Sequence, residues 1–322
     1  MEITIKTLIE LFLTTKSTEG RSDRTISWYR EKLYPFERHL SVGREATLPD
    51  LTLENPRDFV ASLQQQDQRF VDHPYREPVD GGLSDYTIHG YVRAIRAFSA
   101  WLVQEDFLST DPLTKLKRPK VSEPMIEVLS DQEIADVIDA INPNSFNGAR
   151  MYAIVLVLLD TGIRASECCE LTIQNTHLEG DHAKVIGKGN KERIVPFGAT
   201  TKKALLRYTA TWRPEPELPS IDNLFLTPYG APMSYSALRQ SLKRLGKRAG
   251  VPRIRAHLFR HTFAVRYLMN GGDVMTLRLL LGHSTLDVTQ MYMHLAEAHI
   301  KVQYSKFSPV DRLGISRRRR VR

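Results

Sequence analysis

Four short motifs in the C-terminal half of the sequence hold side chains that could do chemistry together. They are TGIRASECCEL (161–171), GKGNKER (187–193), AHLFRHTFAVRYL (256–268) and LGHSTLDVTQMYMH (281–294). The reactive members are two arginines, a lysine, two histidines and a tyrosine: Arg164, Arg260, Lys188, His257, His283 and Tyr292. Arginine and lysine offset negative charge on phosphate oxygens, histidine titrates near neutral pH, and a tyrosine hydroxyl is a nucleophile. Such a set can attack a phosphodiester without a metal ion.

Each motif taken alone also has an ordinary structural interpretation. Arg164 and Glu167 are three residues apart, which is the spacing of a simple ion pair within a helix. Lys188 and Lys191 fit the turn of an exposed basic hairpin, a common surface feature. Tyr292 falls on the apolar stripe of an amphipathic helix and could serve only as packing.

The sequence predicts neither a metal site nor a cofactor. His257 and His261 have the i, i+4 spacing of zinc ligands, but no glutamate lies between them and Arg260 would place a cation beside the metal. The only two cysteines are neighbours in the sequence, Cys168 and Cys169, and are poorly placed for a disulfide. Two reduced thiols predict a reducing, cytoplasmic location.

Helical periodicity dominates the N-terminal third of the chain. Apolar residues at three- and four-residue spacing predict helices at about 4–16, 24–40, 55–66 and 84–106. Between the last two lies a polar segment, 67–82, with two prolines and a Gly-Gly pair, which predicts a loop. Residues 1–108 are therefore interpreted as an all-helical domain.

The next segment, 109–125, predicts an extended linker, because it has three prolines and no apolar period. It is either a solvated tether or a strap along a phosphate backbone. Its basic residues, the candidates for DNA contact, are Lys115, Lys117, Arg118 and Lys120. A second domain, 126–322, begins with a capping box at SDQE (130–133) and contains a hairpin at 182–197.

The fold class predicted from these patterns is mainly α with a small β-hairpin or sheet. The longest apolar run, MYAIVLVLL (151–159), is too short to cross a bilayer and predicts a buried helix, so no membrane partner is expected. The net charge of +8 depends on a terminal cluster, since the last six residues hold five arginines. The members assigned to DNA contact are Arg317, Arg318, Arg319 and Arg320; Lys191 is a further candidate.

The four motifs, with FSP at 307–309, occur in the order and at roughly the spacing of the tyrosine recombinases of the phage-integrase and Xer type, and the whole chain resembles that family. The N-terminal part is similar in kind, with YTIHGYVRAIRAFSAWLV (86–103) as its most typical stretch. The resemblance implies a helical core-binding domain and a catalytic domain that form a C-shaped clamp on DNA.

The resemblance also implies which residues would bind the scissile phosphate. Arg164 and Arg260 would hold its non-bridging oxygens, and His283 would donate a hydrogen bond to it. Glu167 matches an acidic position that supports the site without reacting. Neither ATP nor a metal is required, because each step exchanges one phosphodiester for another.

Three further positions would carry the covalent step. Tyr292 would attack the phosphorus and form a 3′-phosphotyrosyl link, and His257 would act as acid or base toward that tyrosine. Lys188 would protonate the 5′ leaving oxygen. Lys191 lies close enough to compete for that role, although the GKG sequence favours Lys188.

The expected partners are double-stranded DNA and further copies of the chain, as a tetramer that brings two DNA sites together through a Holliday junction. Residues 296–306 would dock onto a neighbouring subunit, and accessory or directionality factors are left open. Two alternatives share the fold: a nicking and closing enzyme like a type IB topoisomerase, and a non-catalytic DNA-binding regulator. A regulator is disfavoured because it would not need the full reactive set.

Overall fold

A computed structural model of the chain describes residues 2–69, 77–120, 126–187 and 191–282, together with Tyr304. The chain divides into two compact units, Met1–Pro124 and Met125–Arg322. Helices make up most of both units and the strands form small antiparallel sheets, so the predicted fold class is confirmed. In the part of the chain described, no helix is long and apolar enough to cross a membrane.

The N-terminal unit contains the four predicted helices. They are α1 (Ile5–Thr18), α2 (Asp23–Leu40), α3 (Glu54–Gln64) and α4 (Asp85–Gln104). Hydroxyl side chains cap three of them: Thr4, Ser22 and Ser84 each accept a hydrogen bond from a backbone N–H of the first turn. These caps explain why the periodic segments begin as helices where they do.

Aromatic packing around Phe12 forms the centre of this unit. The Phe12 ring meets Tyr29, Phe98 and Trp101 edge-on, with ring centroids 5.0, 5.7 and 5.5 Å away. Phe98 belongs to the predicted apolar stripe of α4, and its neighbour on that stripe, Ile95, is also fully buried. The stripe is therefore the face that joins α4 to α1 and α2.

The segment predicted as a loop contains a short strand pair. Strand β1 (Gln68–Arg69) pairs antiparallel with β2 (Val79–Asp80). Residues 70–76, between them, lie outside the described part of the chain. A ladder of two residues on each side has no measurable period, so hydrophobic patterning could not reveal it.

The prediction of an extended linker over 109–125 is wrong for its first half. Leu113 and Leu116 are buried in the core of the N-terminal unit, and Asp111 accepts hydrogen bonds from the Ser99 hydroxyl and the Leu113 N–H. Two isolated leucines give no periodic signal, yet each removes apolar surface from water. The basic side chains of the segment are all exposed: Lys115, Lys117, Arg118 and Lys120.

Seven helices are described in the C-terminal unit. They are α5 (Asp131–Asp139), α6 (Phe146–Thr161), α7 (Ala165–Cys169), α8 (Ala199–Arg207), α9 (Tyr235–Arg248), α10 (Ala256–Met269) and α11 (Val274–Leu281). A single π-helical turn, Tyr208–Trp212, extends α8. The predicted capping box is present at the start of α5, where Ser130 and Glu133 bond each other's backbone N–H. Most residues of α6 are buried, as its apolar run predicted.

The predicted hairpin is present as β4 (His182–Ile186) and β5 (Glu192–Pro196), antiparallel with His182 opposite Pro196 and Ile186 opposite Glu192. Residues 188–190, in its turn, are not described. A strand that the sequence did not reveal, β3 (Thr176–His177), pairs with β4 and completes a three-stranded sheet in the order β3-β4-β5.

Replacing Leu113 by alanine should lower the free energy of unfolding of the N-terminal unit by about 2–5 kcal/mol, because the side chain is fully buried. Urea titration followed by tryptophan fluorescence measures this in a Trp212→Phe background, in which the remaining tryptophans, Trp28 and Trp101, both lie in that unit. Lys117→Ala, at an exposed position, is the control and should change stability by less than about 0.5 kcal/mol. Equal effects of the two substitutions would mean that this segment is a free tether.

Candidate active site

Arg164 lies at the junction between α6 and α7, two residues after the glycine that ends α6. Gly162 ends α6 in the left-handed conformation, with φ of 61°, and a Cβ there would lie 2.3 Å from the ring of Phe263. Arg164 itself occupies the N-cap of α7. Its backbone N–H donates to Glu167 Oε2 at 2.7 Å, so the glutamate reaches back to close the first turn.

Glu167 is the buried carboxylate on which two arginines converge. Arg164 Nη1 donates to Glu167 Oε1 at 2.8 Å, which is the ion pair that the i, i+3 spacing allowed. Arg193 adds a bidentate pair, with Nη1 2.8 Å from Oε1 and Nη2 2.7 Å from Oε2. The sequence reasoning missed Arg193. The available signal was strand alternation, because Arg193 and the buried Val195 occupy the same face of β5.

The arginines decide the ionisation of Glu167. Burial alone would raise the pKa of this carboxyl group, but the hydrogen bonds from Arg193 and from the backbone and side chain of Arg164, together with the positive charge of Arg193, outweigh it. The pKa of Glu167 is consequently lowered to about 2. The carboxylate therefore stays charged throughout the physiological range.

The C-terminal end of α11 is the second point at which the arginines meet. Three consecutive carbonyl oxygens accept guanidinium N–H groups: Leu280 O from Arg193 Nε at 2.7 Å, Leu281 O from Arg260 Nη2 at 2.7 Å and Gly282 O from Arg164 Nη2 at 3.4 Å. The last carbonyls of a helix have no intrahelical partner and form the negative end of its dipole. The helix end therefore holds three cations side by side.

Arg260 joins the ends of two helices. It lies on α10, is 4% exposed, and donates from Nη1 to Gly162 O at 2.7 Å as well as from Nη2 to Leu281 O. Gly162 closes α6 and Leu281 closes α11, so one guanidinium fixes the two junctions relative to each other. This placement explains how so deeply buried an arginine is satisfied without a carboxylate of its own in these contacts.

His257 precedes Arg260 by one helical turn on α10 and is exposed. Desolvation of the ring and the positive charges of Arg260, Arg164 and Arg255 lower its pKa below the ordinary value, so the imidazole is neutral at pH 7. A neutral imidazole next to cationic groups can accept a proton. His261 lies beside it, with ring centroids 6.4 Å apart, and no cluster of three or more potential metal ligands exists among the described residues.

The structure thus brings together the predicted site residues that it describes: Arg164, Glu167, His257 and Arg260. Seven other predicted site residues lie outside the described part of the chain: Lys188, His283, Tyr292 and Arg317–Arg320. The exposed cations Lys115, Lys117, Arg118 and Lys120 belong to the N-terminal unit and are not part of this cluster. Lys191 is described; it is exposed, and its carbonyl accepts the Gly187 N–H at 2.8 Å across the base of the hairpin turn.

The described contacts of this cluster involve three guanidinium groups, those of Arg164, Arg193 and Arg260, and one carboxylate, that of Glu167. The other described hydrogen bonds of these guanidinium groups go to backbone carbonyl oxygens, which carry no full negative charge. In the contacts of the described residues, Arg164 uses two of its five N–H groups, and its side chain is 35% exposed. The arrangement is therefore a preorganised site for an oxyanion, with a neutral histidine beside it.

The sequence of the chain is similar to that of a known protein family and of individual proteins. The sequence model of the Phage integrase family matches residues 127–299. Tyrosine recombinase XerD of Staphylococcus aureus is 30% identical over 308 residues, covering 95% of this chain and 99% of the relative. The XerD of Staphylococcus saprophyticus is also 30% identical, over 94% of this chain and 99% of its own length.

Solved structures share the fold at lower identity. The XerH site-specific recombinase bound to palindromic difH substrate has a TM-score of 0.71 at 21% identity, covering 91% of this chain and 82% of that one. A lambda integrase dimer bound to a COC′ core site has a TM-score of 0.67 at 15% identity, with coverages of 90% and 95%. These likenesses establish the architecture of the chain.

Replacing Glu167 by glutamine should lower the free energy of unfolding at pH 7 by about 3 kcal/mol, because it leaves two guanidiniums beside a neutral group. The pKa of Glu167 is lower in the folded chain than in the unfolded one, so the carboxylate stabilises the fold above about pH 4.5. That stabilisation disappears as the pH falls toward 2. Urea titrations of both proteins from pH 7 down to about pH 3 measure the difference.

The difference between wild type and Glu167→Gln should therefore shrink as the pH falls through this window. Glu170→Gln, the same change at an exposed position three residues further, is the control and should stay close to wild type throughout. A difference that is constant with pH would contradict the assignment of the stabilisation to the ionised carboxylate.

Proposed function

The chain belongs to the phage integrase family of tyrosine recombinases and is a site-specific recombinase, and we propose that it cuts DNA with Tyr292 at the arginine cluster described above. The observation that carries this proposal is the convergence of Arg164 and Arg260 on the end of α11, directly before His283. A scissile phosphate bound there would meet two guanidiniums whose positions are already fixed. The cost of organising them is met during folding rather than during the reaction.

The proposed cleavage step moves two protons. The Tyr292 oxygen forms a bond to phosphorus while the bond from phosphorus to the 5′ oxygen breaks. His257 accepts the tyrosine proton, because a tyrosine with a pKa of ~10 needs a base. The lowered pKa of His257 keeps the ring neutral in the free protein, so its nitrogen is available to accept that proton. Lys188 donates a proton to the 5′ oxygen, which leaves as a hydroxyl.

The same chemistry run in reverse rejoins strands. A 5′ hydroxyl from the partner DNA attacks the phosphotyrosyl link and releases Tyr292, so the phosphodiester energy is retained and ATP is not consumed. Arg164 and Arg260 serve both directions, because the charge on the non-bridging oxygens develops in the same place. We propose that a first round of exchange forms a Holliday junction and a second round resolves it, in a tetramer on two DNA sites.

The chain is proposed to bind double-stranded DNA and to assemble with further copies of itself. The structural neighbours are complexes with DNA, one of them a dimer. For this chain we propose a core-binding domain that begins with residues 1–108 and includes the packed first half of the basic segment 109–125, followed by a catalytic domain over 126–322. The exposed cations of 115–120 and the terminal arginines would add salt-dependent affinity for the backbone. Residues 296–306 would dock on a neighbouring subunit.

Family membership favours recombination over the two alternatives, topoisomerase-like nicking and closing or DNA binding without catalysis. A cytoplasmic setting is proposed from the two thiols Cys168 and Cys169, which are free and buried. Burial raises the pKa of the Cys169 thiol to about 11 and that of the Cys168 thiol well above its ordinary value, so neither competes with a tyrosine as nucleophile at neutral pH.

Wild-type protein should form a covalent adduct with nicked DNA, and Tyr292→Phe should form none. The probe is fragmented genomic DNA of the source organism, nicked at random, because a nick beside the scissile bond lets the short 5′-hydroxyl fragment leave and prevents rejoining. Adducts are measured as protein–DNA complexes that survive detergent. Tyr304→Phe, another tyrosine of the same C-terminal segment, is the control and should retain the adduct. No adduct with wild type, or a persistent one with Tyr292→Phe, would overturn the proposed function.

DNA that carries the sequence recovered from those adducts serves as a substrate for identifying the general acid, Lys188 or Lys191. Lys188→Ala should slow cleavage of ordinary DNA by about 10²–10⁴-fold, because the 5′ oxygen leaves without a proton. A substrate with sulfur at that bridging position should restore most of the rate, since a thiolate needs no proton to leave. Lys191→Ala is the matched variant and should cleave both substrates at nearly the wild-type rate. The opposite pattern would assign the acid to Lys191.

A further inference from the structure

Arg193 contacts two other elements of the candidate site, one through a backbone carbonyl and one through a carboxylate. Its Nε donates to Leu280 O at 2.7 Å, at the end of α11, and its two Nη atoms bind the Glu167 carboxylate. Its side chain is 12% exposed, although it lies on the edge strand β5 of the small sheet. One guanidinium therefore ties the hairpin to α7 and to the C-terminus of α11.

Two glycines lie against Arg193 at the points where the chain enters the reactive segments. A Cβ on Gly282 would be 3.1 Å from Arg193 Nη1, and Gly282 directly precedes His283. A Cβ on Gly187 would be 3.5 Å from the same nitrogen, and Gly187 directly precedes Lys188. A side chain at Gly282 would crowd the guanidinium, whereas a Cβ at Gly187 would lie in ordinary van der Waals contact with it. The guanidinium therefore packs closely on the end of α11 and also touches the base of the hairpin turn.

No other side chain type could make this set of contacts. The planar fork of arginine matches both oxygens of a carboxylate while Nε, on its other edge, still reaches a carbonyl. A lysine ammonium could replace one of these contacts but could not span Glu167 and Leu280 together. The geometry therefore requires arginine at this position, beyond a general need for positive charge.

We propose that Arg193 is a positioning residue for cleavage: it holds the base of the hairpin against Glu167 and the end of α11, so that the hairpin lysine reaches the 5′ oxygen of the phosphate held by Arg164. This inference rests on the proposed function. Arg193 acts through the groups that it places, and it does not contact the DNA. The simpler alternative is that its ion pair only stabilises the fold.

The test compares cleavage of two nicked duplexes that carry the recovered site, one with oxygen and one with sulfur at the 5′ bridging position. Arg193→Lys should slow cleavage of the oxygen substrate by about a hundredfold, because a lysine displaced by about 1 Å transfers its proton poorly. The sulfur substrate does not need that proton and should lose much less. The ratio of the sulfur rate to the oxygen rate should therefore rise by about tenfold or more.

This ratio separates positioning from stability. Both rates come from the same folded fraction of protein, so partial unfolding lowers them equally and leaves the ratio unchanged. Arg193→Gln provides a second variant if the lysine variant is poorly folded. Arg253→Lys is the matched control, because Arg253 also binds a carboxylate through two contacts, with Nη2 2.9 and 2.8 Å from the oxygens of Glu133. It should change the melting temperature but not the ratio.

The ratio of the sulfur rate to the oxygen rate decides between positioning and stability. A raised ratio in the Arg193 variants, with a wild-type ratio in Arg253→Lys, supports positioning. Equal losses on the two substrates, or the same ratio in both sets of variants, would overturn the inference and leave Arg193 a purely structural residue. Absence of any adduct with the wild-type protein would instead overturn the proposed function, so the two failures can be told apart.

Discussion

The carboxylate of Glu167 is the constraint on which the site depends. A buried carboxylate without partners would lose its charge, and a group of guanidiniums without a counter-ion would repel one another. Arg164 and Arg193 surround the carboxylate and keep its pKa near 2, and the ionised carboxylate in turn reduces the repulsion between the two guanidiniums. Since Glu167 also closes the first turn of α7 through the Arg164 N–H, helix start and ion pair form together.

Backbone carbonyls provide the rest of the support, and this choice preserves the charge of the site. If carboxylates had balanced every arginine, the cluster would be neutral and would attract a phosphate weakly. The carbonyls of Leu280, Leu281 and Gly282 satisfy N–H groups while contributing only the partial charge of a helix end. Among the contacts described, the cluster therefore has more positive than negative charge, already oriented, which is the condition for stabilising an oxyanion without reorganisation.

Local signals in the sequence predicted most elements, and non-local ones were missed. The four N-terminal helices, the capping box of α5, the apolar run of α6 and the hairpin depend on near neighbours, and all were predicted. The packing of Leu113 and Leu116 was not, because their partners lie elsewhere in the chain. Arg193 was missed for the same reason: its contacts with Glu167 and Leu280 join residues 26 and 87 positions apart. Motif resemblance named the reactive residues but not the side chain that ties their elements together.

The same cations link binding to proton transfer. In the free protein, the charges of Arg260, Arg164 and Arg255 help to lower the pKa of His257, so the ring stays neutral. A phosphate held by Arg164 and Arg260 would offset those charges and raise that pKa. The histidine would then become a stronger base when the nucleophile must lose its proton. The charges of the arginines therefore affect both phosphate binding and the protonation of His257. The arginines that hold the phosphate would in this way also make proton transfer to His257 more favourable once the phosphate is bound.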